Sequence, residues 1–213
     1  VRAHALGRFR DLLGASAKSP AMLVYLDNAS NGRDGINENY ARELMELHTL
    51  GVDGGYTEAD VVDVARALSG WGIHPTFHVF AFRSAWHDAR AKRVLGVDLP
   101  AGRGIEDGEA VLDILAAHPS TARHTATRLV RRFFADRPSA ALVDAAAQAF
   151  LDSDGDIRAV LRALFRHPLA REAVPAKFKR PQEYVMSAMR VLGAQLDGNG
   201  VRVLLETLTR LAH

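Results

Sequence analysis

The chain contains no cysteine among its 213 residues. Disulfide bonds and thiolate metal sites are therefore excluded. The sequence also lacks any apolar run approaching the ~18–20 residues that a membrane-spanning helix needs. Hydrophobic residues nevertheless make up 48% of the chain, which is enough for a substantial core. These features predict a globular protein whose polar chemistry relies on carboxylates, imidazoles, guanidinium groups and amides.

Net charge is small as well. Lys and Arg total 27 against 25 for Asp and Glu, a formal charge of +2. So small an excess is a poor basis for binding a polyanion, and no stacking aromatics are interleaved with the arginines of residues 120–135. We therefore predict no nucleic-acid partner. A P-loop, a His-Glu-x-x-His zinc motif and a serine nucleophile elbow are also missing, so the best-known hydrolase signatures are absent.

Helical periodicity dominates the remaining pattern. Breaks at proline and glycine separate predicted helices at residues 37–50, 58–68, 105–117, 120–135, 139–151, 156–166, 181–193 and 200–212. Residues 77–82 are rich in β-prone side chains and are predicted to pair with residues 93–95 as a hairpin. The predicted fold is mainly α: a single compact multi-helix domain over 1–213 with a small β-hairpin insertion at 72–97.

The predicted helix over residues 37–50 is the most polar of these segments. At ~100° per residue, Tyr40, Leu44 and Leu47 form its buried stripe, and Glu43 lies beside that stripe. A partly buried carboxylate must be paired, hydrogen-bonded or protonated. Two interpretations of Glu43 stay open: a structural contact with loop amides or an arginine, and a role in catalysis or ligand binding.

The neighbours of Glu43 on this helix extend the polar group. Asn39 and Glu46 share its flank, and Arg42 is placed to pair with Glu46 at i,i+4. His48 falls about 140–160° away from the two glutamates on a regular helix. A regular helix therefore cannot direct Glu43, Glu46 and His48 at one metal ion, and a packing role is predicted for His48.

A second candidate group is His87-Asp88, which closes the predicted hairpin four residues before Lys92. An imidazole beside a carboxylate can act as a base or a ligand. The alternative is turn chemistry, in which Asp88 bonds its own backbone.

Two arginines form the third group. Arg128 and Arg132 lie on one flank of the helix predicted at 120–135. They form either a solvated basic face, or a site that pairs with Glu43 or binds an anionic ligand bidentately.

Several motifs together resemble one bacterial family, the domain of unknown function 1800 family. The longest is residues 37–51 (NENYARELMELHTLG), and the shorter ones occur in the family's order. They are 55–61 (GYTEADV), 65–71 (ARALSGW), 87–88 (HD) with Lys92, 95–96 (LG), 118–122 (HPSTA) and 177–183 (KFKRPQE). The resemblance covers most of the chain.

The resemblance implies a setting but no reaction. Family members are typically longer, and the chain, which opens at Val1, is expected to be a fragment similar to their C-terminal half. Members are often exported, which implies a periplasmic or extracellular location. They are also often encoded beside a family resembling sulfatases and phosphatases, which implies a protein partner of that kind.

Two hypotheses of function follow. In the first, the chain is a binding or scaffolding module of the bacterial envelope; its predicted binding residues are Asn37, Arg42, Arg128 and Arg132. In the second, it is a hydrolase-like enzyme; its predicted catalytic residues are Glu43, Asn39, His87 and Asp88. If a metal assists that enzyme, its predicted ligands are Glu43, Glu46 and His87. The sequence identifies no cofactor.

Overall fold

A computed structural model describes residues 1–172, 179–195 and 197–211. As predicted, these residues are mainly helical. Their α-helices are α1 (Phe9–Ala17), α2 (Pro20–Tyr25), α3 (Asn39–Glu43), α4 (Glu58–Ala67), α5 (Ile105–Ala117), α6 (Pro119–Phe133), α7 (Ala140–Asp152), α8 (Ile157–Arg166), α9 (Pro168–Glu172), α10 (Pro181–Leu192) and α11 (Gly198–Leu211). A π-helical turn (Leu44–Thr49) continues directly from α3.

The chain forms two compact units, Val1–Val174 and Pro175–His213. The second contains α10 and α11, while the other helices and the strands belong to the first. A single domain over 1–213 stays a prediction, and residues 177–178 of the last motif lie outside the described residues. None of the described helices has the length and apolar character needed to cross a bilayer.

The β region differs from the predicted hairpin, because it contains two hairpins that do not pair with each other. Leu95 and Gly96, both with positive φ, form the two-residue turn of the second hairpin. Residues 77–82 and 93–95 thus each pair with a nearby segment, which costs less loop-closure entropy than the predicted pairing. The strands are β1 (Trp71–Ile73) with β2 (Phe80–Phe82), and β3 (Lys92–Val94) with β4 (Val97–Leu99), both antiparallel.

Helix ends follow the local chemistry of the sequence. At the start of α4 the Asp60 amide donates to the Thr57 hydroxyl, and the Thr57 amide donates to the Asp60 carboxylate. This reciprocal pair is a capping box, and it begins the helix predicted at residues 58–68. Pro119 and Pro181 occupy first helical positions, where a missing N–H leaves no intrahelical bond unmade.

The core of the first unit is built around the Trp71 indole, which is fully buried. Phe80 meets this indole edge to face at 5.1 Å. Gly108 on α5 allows the helix to come this close, because a Cβ at that position would lie 2.3 Å from the Trp71 ring. Buried side chains of α4 and α5 complete this part of the core; they are Val61, Val64, Ala65, Ala67, Val111, Leu112 and Leu115.

Replacing Gly108 with alanine tests this contact. We expect Gly108→Ala to lower the free energy of unfolding by about 1–3 kcal/mol, because overpacking against Trp71 outweighs the gain in helix propensity. Urea denaturation followed by circular dichroism measures the change. Gly35→Ala is the control, since nothing lies within 4 Å of its added Cβ. Equal stabilities for the two variants would contradict the packing.

Candidate functional site

Lys92 on β3 and Asp107 on α5 form an ion pair inside the first unit. The Lys92 Nζ lies 2.7 Å from Asp107 Oδ2, and the two side chains are 0% and 1% exposed. The ammonium also donates to the backbone carbonyls of Asp88 and Arg90. All three donors of the lysine are therefore used, as burial of a full charge requires.

Two further side chains meet the same carboxylate. His87 Nε2 lies 3.3 Å from Asp107 Oδ2, and His87 Nδ1 donates to the Ser69 carbonyl at 2.9 Å. Arg103 Nε lies 3.1 Å from Asp107 Oδ1, an ion pair that lacks hydrogen-bond geometry. We call Lys92, Asp107, His87 and Arg103 the buried polar network.

Asp88 lies next to this network and is itself bonded from several sides. Its carboxylate accepts from Arg90, through both side chain and backbone amide, and from Arg66 Nε at 2.8 Å. Arg90 and Arg66 hold the pKa of Asp88 well below its usual range. Its charge therefore contributes stability above about pH 4, and this contribution is lost as the pH falls toward the lower folded pKa.

These contacts bear on the catalytic roles predicted for His87 and Asp88. Both residues are buried, at 4% and 3% exposure, and their bonded partners are groups of the fold rather than Glu43. Sequence reasoning did not identify Asp107, because an acidic residue in the first turn of a helix is also what the helix dipole favours. The structure connects α4, β3 and α5 through these charges.

Removing one charge of the central pair tests its structural role. We expect Lys92→Met to lower the free energy of unfolding by about 3–5 kcal/mol, because Asp107 is left buried without its main counter-charge. The matched control is Arg93→Met on the same strand. Arg93 pairs with Asp98 at the surface, so its loss is expected to cost about 0–1 kcal/mol. Chemical denaturation of both variants gives the comparison, and similar losses would contradict the network's role.

The second polar region is the π-helical turn (Leu44–Thr49), where bonds span five residues instead of four. The Leu50 amide donates to the Met45 carbonyl at 2.7 Å, and the Thr49 hydroxyl donates to the Leu44 carbonyl at 2.7 Å. This spacing changes which side chains face the core. Thr49, five residues after buried Leu44, is fully buried, whereas Leu47 is 48% exposed. The predicted buried position of Leu47 was therefore wrong.

The wider turn also changes the angular separation of Glu43 and His48, which lie five residues apart along the chain. The Glu43 carboxylate acts electrostatically on the His48 imidazole. Their predicted placement on opposite flanks assumed a regular helix, and the π-turn replaces that regular helix here. Both side chains are half-buried, as is Glu46.

Residues from outside the turn complete this surface. Leu47 presents its backbone carbonyl to α6, where it accepts from Arg128 Nη1 at 2.7 Å and lies 3.4 Å from His124 Nε2. Tyr56 is half-buried, and the carboxylate of Glu46 acts on its hydroxyl. We call this group the π-turn surface: Glu43, Glu46, His48, Tyr56, His124 and Arg128.

Gly51 ends the turn in a conformation that other residues adopt only with strain, with φ of +86°. A Cβ at this position would lie 2.8 Å from His124 Nδ1. Glycine is thus needed for both the backbone conformation and the approach of α6. The sequence analysis did not identify His124 as part of this surface, because only its contact with Gly51, which is distant along the chain, places it there.

The imidazoles of the surface are held toward the neutral form. Burial lowers the pKa of His48, nearby Arg128 lowers it further, and Glu43 partly offsets both. Burial likewise lowers the pKa of His124. Because these folded pKa values lie below the unfolded value of about 6.5, their contribution to stability is present above that pH and is lost as the pH falls below it.

Arg42 differs from its predicted pairing. Its guanidinium binds both oxygens of Glu58, at 2.9 and 2.7 Å, and Glu38 at 3.2 Å, rather than Glu46. The side chain leans toward the helix N-terminus, as helical side chains do, and the π-turn removes the regular i,i+4 neighbour. Arg42 therefore ties α3 to α4.

The asparagines predicted at the site lie at the start of α3. The Asn37 side chain accepts from the Asn39 amide at 3.0 Å, and the Asn37 amide donates to buried Asn31 at 3.0 Å. Asn39 itself is exposed. Asn37 thus orders the entry into the helix, while the predicted catalytic role of Asn39 stays a prediction.

The two arginines predicted on α6 also differ from each other in their surroundings. Arg128 binds the Leu47 carbonyl, and Arg132 is exposed. Glu43 forms no ion pair with any described residue. The predicted pairing of Glu43 with either arginine is therefore absent from the described part of the chain.

The predicted metal ligands are not brought together. In residues 1–172, 179–195 and 197–211, no group of three or more His, Asp or Glu side chains has an arrangement that would hold a metal ion. Glu43, Glu46 and His87 thus do not form such a group here. His87 belongs to the buried polar network, whereas the two glutamates belong to the π-turn surface.

Titration of His48 tests the π-turn. We expect Glu43→Gln to lower the pKa of His48, because a neighbouring negative charge is removed, and Arg128→Ala to raise it. Histidine proton shifts followed by NMR give both values. Arg93→Ala, on β3, is the control and should leave the pKa unchanged. A His48 pKa that is insensitive to Glu43→Gln would indicate a regular helix, in which the two side chains point apart.

The fold and the two polar regions define a mainly helical protein with a buried network of charged side chains and a polar surface on a π-helical turn. The chain belongs to the family described as "Protein of unknown function (DUF1800)", whose model matches residues 1–213. The family inferred from the motifs is thereby confirmed. Neither the curated proteins nor the solved structures include a match to this chain.

Proposed function

We propose that this chain is a binding module of the bacterial envelope, which contacts a protein partner through the π-turn surface. The observation that carries the proposal is the π-turn itself, around which Glu43, Glu46 and His48 lie half-buried. A π-turn is rare because an α-helix bonds its backbone better, and such turns are frequent at functional sites. The surface thus keeps a costly conformation at the most polar segment of the chain.

The chemistry of Glu43 favours binding. Its carboxylate is partly removed from water, yet it has no ion pair among the described residues. A partner that supplies a cation or hydrogen-bond donors would satisfy it. His48 and His124, held toward the neutral form, offer ring nitrogens to the same partner.

The contacts that His87 and Asp88 make inside the fold support the same proposal. His87 and Asp88 bond groups within the fold, which favours a structural role for them over the catalytic role that the hydrolase hypothesis predicts. Their role is better described as holding α4, β3 and α5 in place behind the surface. The fold then acts as a rigid support for residues that bind.

A second candidate function is acid–base catalysis, and the electrostatic interaction of Glu43 with His48 favours it. A carboxylate that acts on an imidazole of lowered pKa is an arrangement that general acid–base chemistry uses. It rests on this pair instead of the predicted His87 and Asp88. We place it second because the substrate would need a cleft, whereas a protein partner needs only the surface.

For the partner we propose the sulfatase- or phosphatase-like protein that the family resemblance implies. Calorimetric titration of the purified chain with that protein, produced from the neighbouring gene, tests the proposal. We expect saturable binding that weakens at least about tenfold in Glu43→Gln and in His48→Ala, since central interface contacts are worth more than about 1 kcal/mol.

The control is Glu206→Gln, which changes an exposed carboxylate on α11 and should not alter the affinity. Circular dichroism melting establishes that the variants remain folded, and we expect Glu43→Gln to shift the free energy of unfolding by no more than about 0.5 kcal/mol. Undiminished affinity in both surface variants would overturn the proposal. Turnover of a substrate that is lost in Glu43→Gln, without partner binding, would favour the second candidate.

A further inference from the structure

A cavity of about 420 Å³ lies beside the loop that precedes α3. This volume falls within the range of about 300–1,000 Å³ typical of small-molecule sites. The cavity is separate from the π-turn surface, and no residue of that surface lines it. Its lining comes from two segments, residues 30–35 and 85–86; the residues are Ser30, Gly32, Arg33, Asp34, Gly35, Ala85 and Trp86.

Trp86 is the main apolar element of the cavity. The residue is 44% exposed, although large aromatics are usually well buried. The Arg83 guanidinium lies over the indole at 4.0 Å and so holds the ring from one side. The ring is therefore fixed in orientation while part of its surface remains open.

The adjoining wall is a tight turn between Gly32 and Gly35, whose amide and carbonyl groups bond each other. The Arg33 amide donates to the Trp86 carbonyl at 2.7 Å, which joins the turn to the tryptophan segment. Gly32 packs on the indole so closely that a Cβ there would lie 3.2 Å from the ring. The turn and the tryptophan segment are thus held against each other.

Buried asparagines make this loop rigid. Asn31 is 0% exposed, and its side chain donates to the Ala65 carbonyl at 2.8 Å. Asn28 is 1% exposed, and its side chain donates to the carbonyls of Leu68 and Trp71. These bonds fix the loop to the end of α4, so a ligand would not have to order it. Such preorganisation lowers the cost of binding.

The charged groups of the cavity select the ligand class. Arg33 and Asp34 face solvent as neighbours of opposite sign, with 3.7 Å between Nε and Oδ2. Their charges offset each other, and the Arg83 guanidinium donates to the Ala29 carbonyl and does not line the cavity. The lining residues therefore favour neither a cation nor an anion over a neutral molecule. A carboxylate and a guanidinium both form paired hydrogen bonds, which suits adjacent hydroxyl groups. The exposed indole in turn suits the C–H face of a saturated ring.

We infer that this cavity binds a neutral carbohydrate, with a sugar ring stacked on Trp86 and its hydroxyls bonded by Asp34 and Arg33. The juxtaposition of a fixed, exposed indole with an opposite-charge pair on a rigid turn carries the inference. It concerns a site other than the π-turn surface and is independent of the proposed partner.

Fluorescence gives a direct readout, because the chain has two tryptophans and Trp71 is fully buried. The intact chain would be titrated with cellohexaose and with N-acetylchitohexaose, both neutral, and with hexagalacturonate, which is anionic. We expect saturable binding of at least one neutral oligosaccharide with a Kd of about 0.1–1 mM. The emission of Trp86 should change upon binding, and calorimetry should give the same affinity.

Two variants assign the binding to this cavity. Trp86→Ala should abolish saturable binding, and Asp34→Asn should weaken it at least about tenfold. Because the Asp34 side chain is 93% exposed, its replacement leaves the fold unaffected, and the test does not depend on the tryptophan variant remaining folded. Asp136→Asn, an exposed carboxylate outside the cavity, and Glu43→Gln should both retain wild-type affinity.

Three results would overturn the inference. The first is the absence of saturable binding by either neutral oligosaccharide up to about 10 mM. The second is neutral binding that Asp34→Asn and Trp86→Ala leave unchanged. The third is hexagalacturonate binding more tightly than both neutral probes, which would indicate an anion site instead.

Discussion

The first unit depends on the ion pair between Lys92 and Asp107. Neither charge reaches water, so each has to be matched by the other and by surrounding hydrogen bonds. The segment from His87 to Arg90 surrounds the Lys92 ammonium, because the carbonyls of Asp88 and Arg90 accept its hydrogen bonds. This arrangement positions the two short hairpins beside α4 and α5. A buried charge pair therefore orders a region in which four three-residue strands supply little stability of their own.

This rigid interior has a direct consequence for function. His87 and Asp88 have the composition of a catalytic pair, yet their hydrogen-bonding capacity is used inside the fold. The polar groups that remain available lie on the π-turn and in the cavity beside Trp86. Both places are held by buried contacts from behind: Thr49 and Gly51 for the turn, and Asn31 for the cavity loop. The buried polar contacts thus hold in place the polar residues of the π-turn surface and of the cavity.

Local chemistry made much of the fold predictable. The helix predicted at 105–117 coincides with α5, and the helix predicted at 58–68 begins with α4 at Glu58. Proline at a first helical position and the 3.6-residue period act within a few residues, so no distant contact is needed to read them. The hairpin pairing was predicted wrongly. Residues 77–82 and 93–95 are both β-prone, and this propensity alone does not determine which segment each of them pairs with.

The sequence by itself determined the helical class, most helix boundaries and the segment in which polar side chains concentrate, because these follow from neighbours along the chain. Only the tertiary structure decided which of those side chains meet. An additional residue in one helical turn placed Thr49 in the core and turned Leu47 outward, and α6 supplied His124 against Gly51. Which side chains meet depends on the packing and hydrogen bonding of several elements together, and the periodicity along one helix does not reveal it.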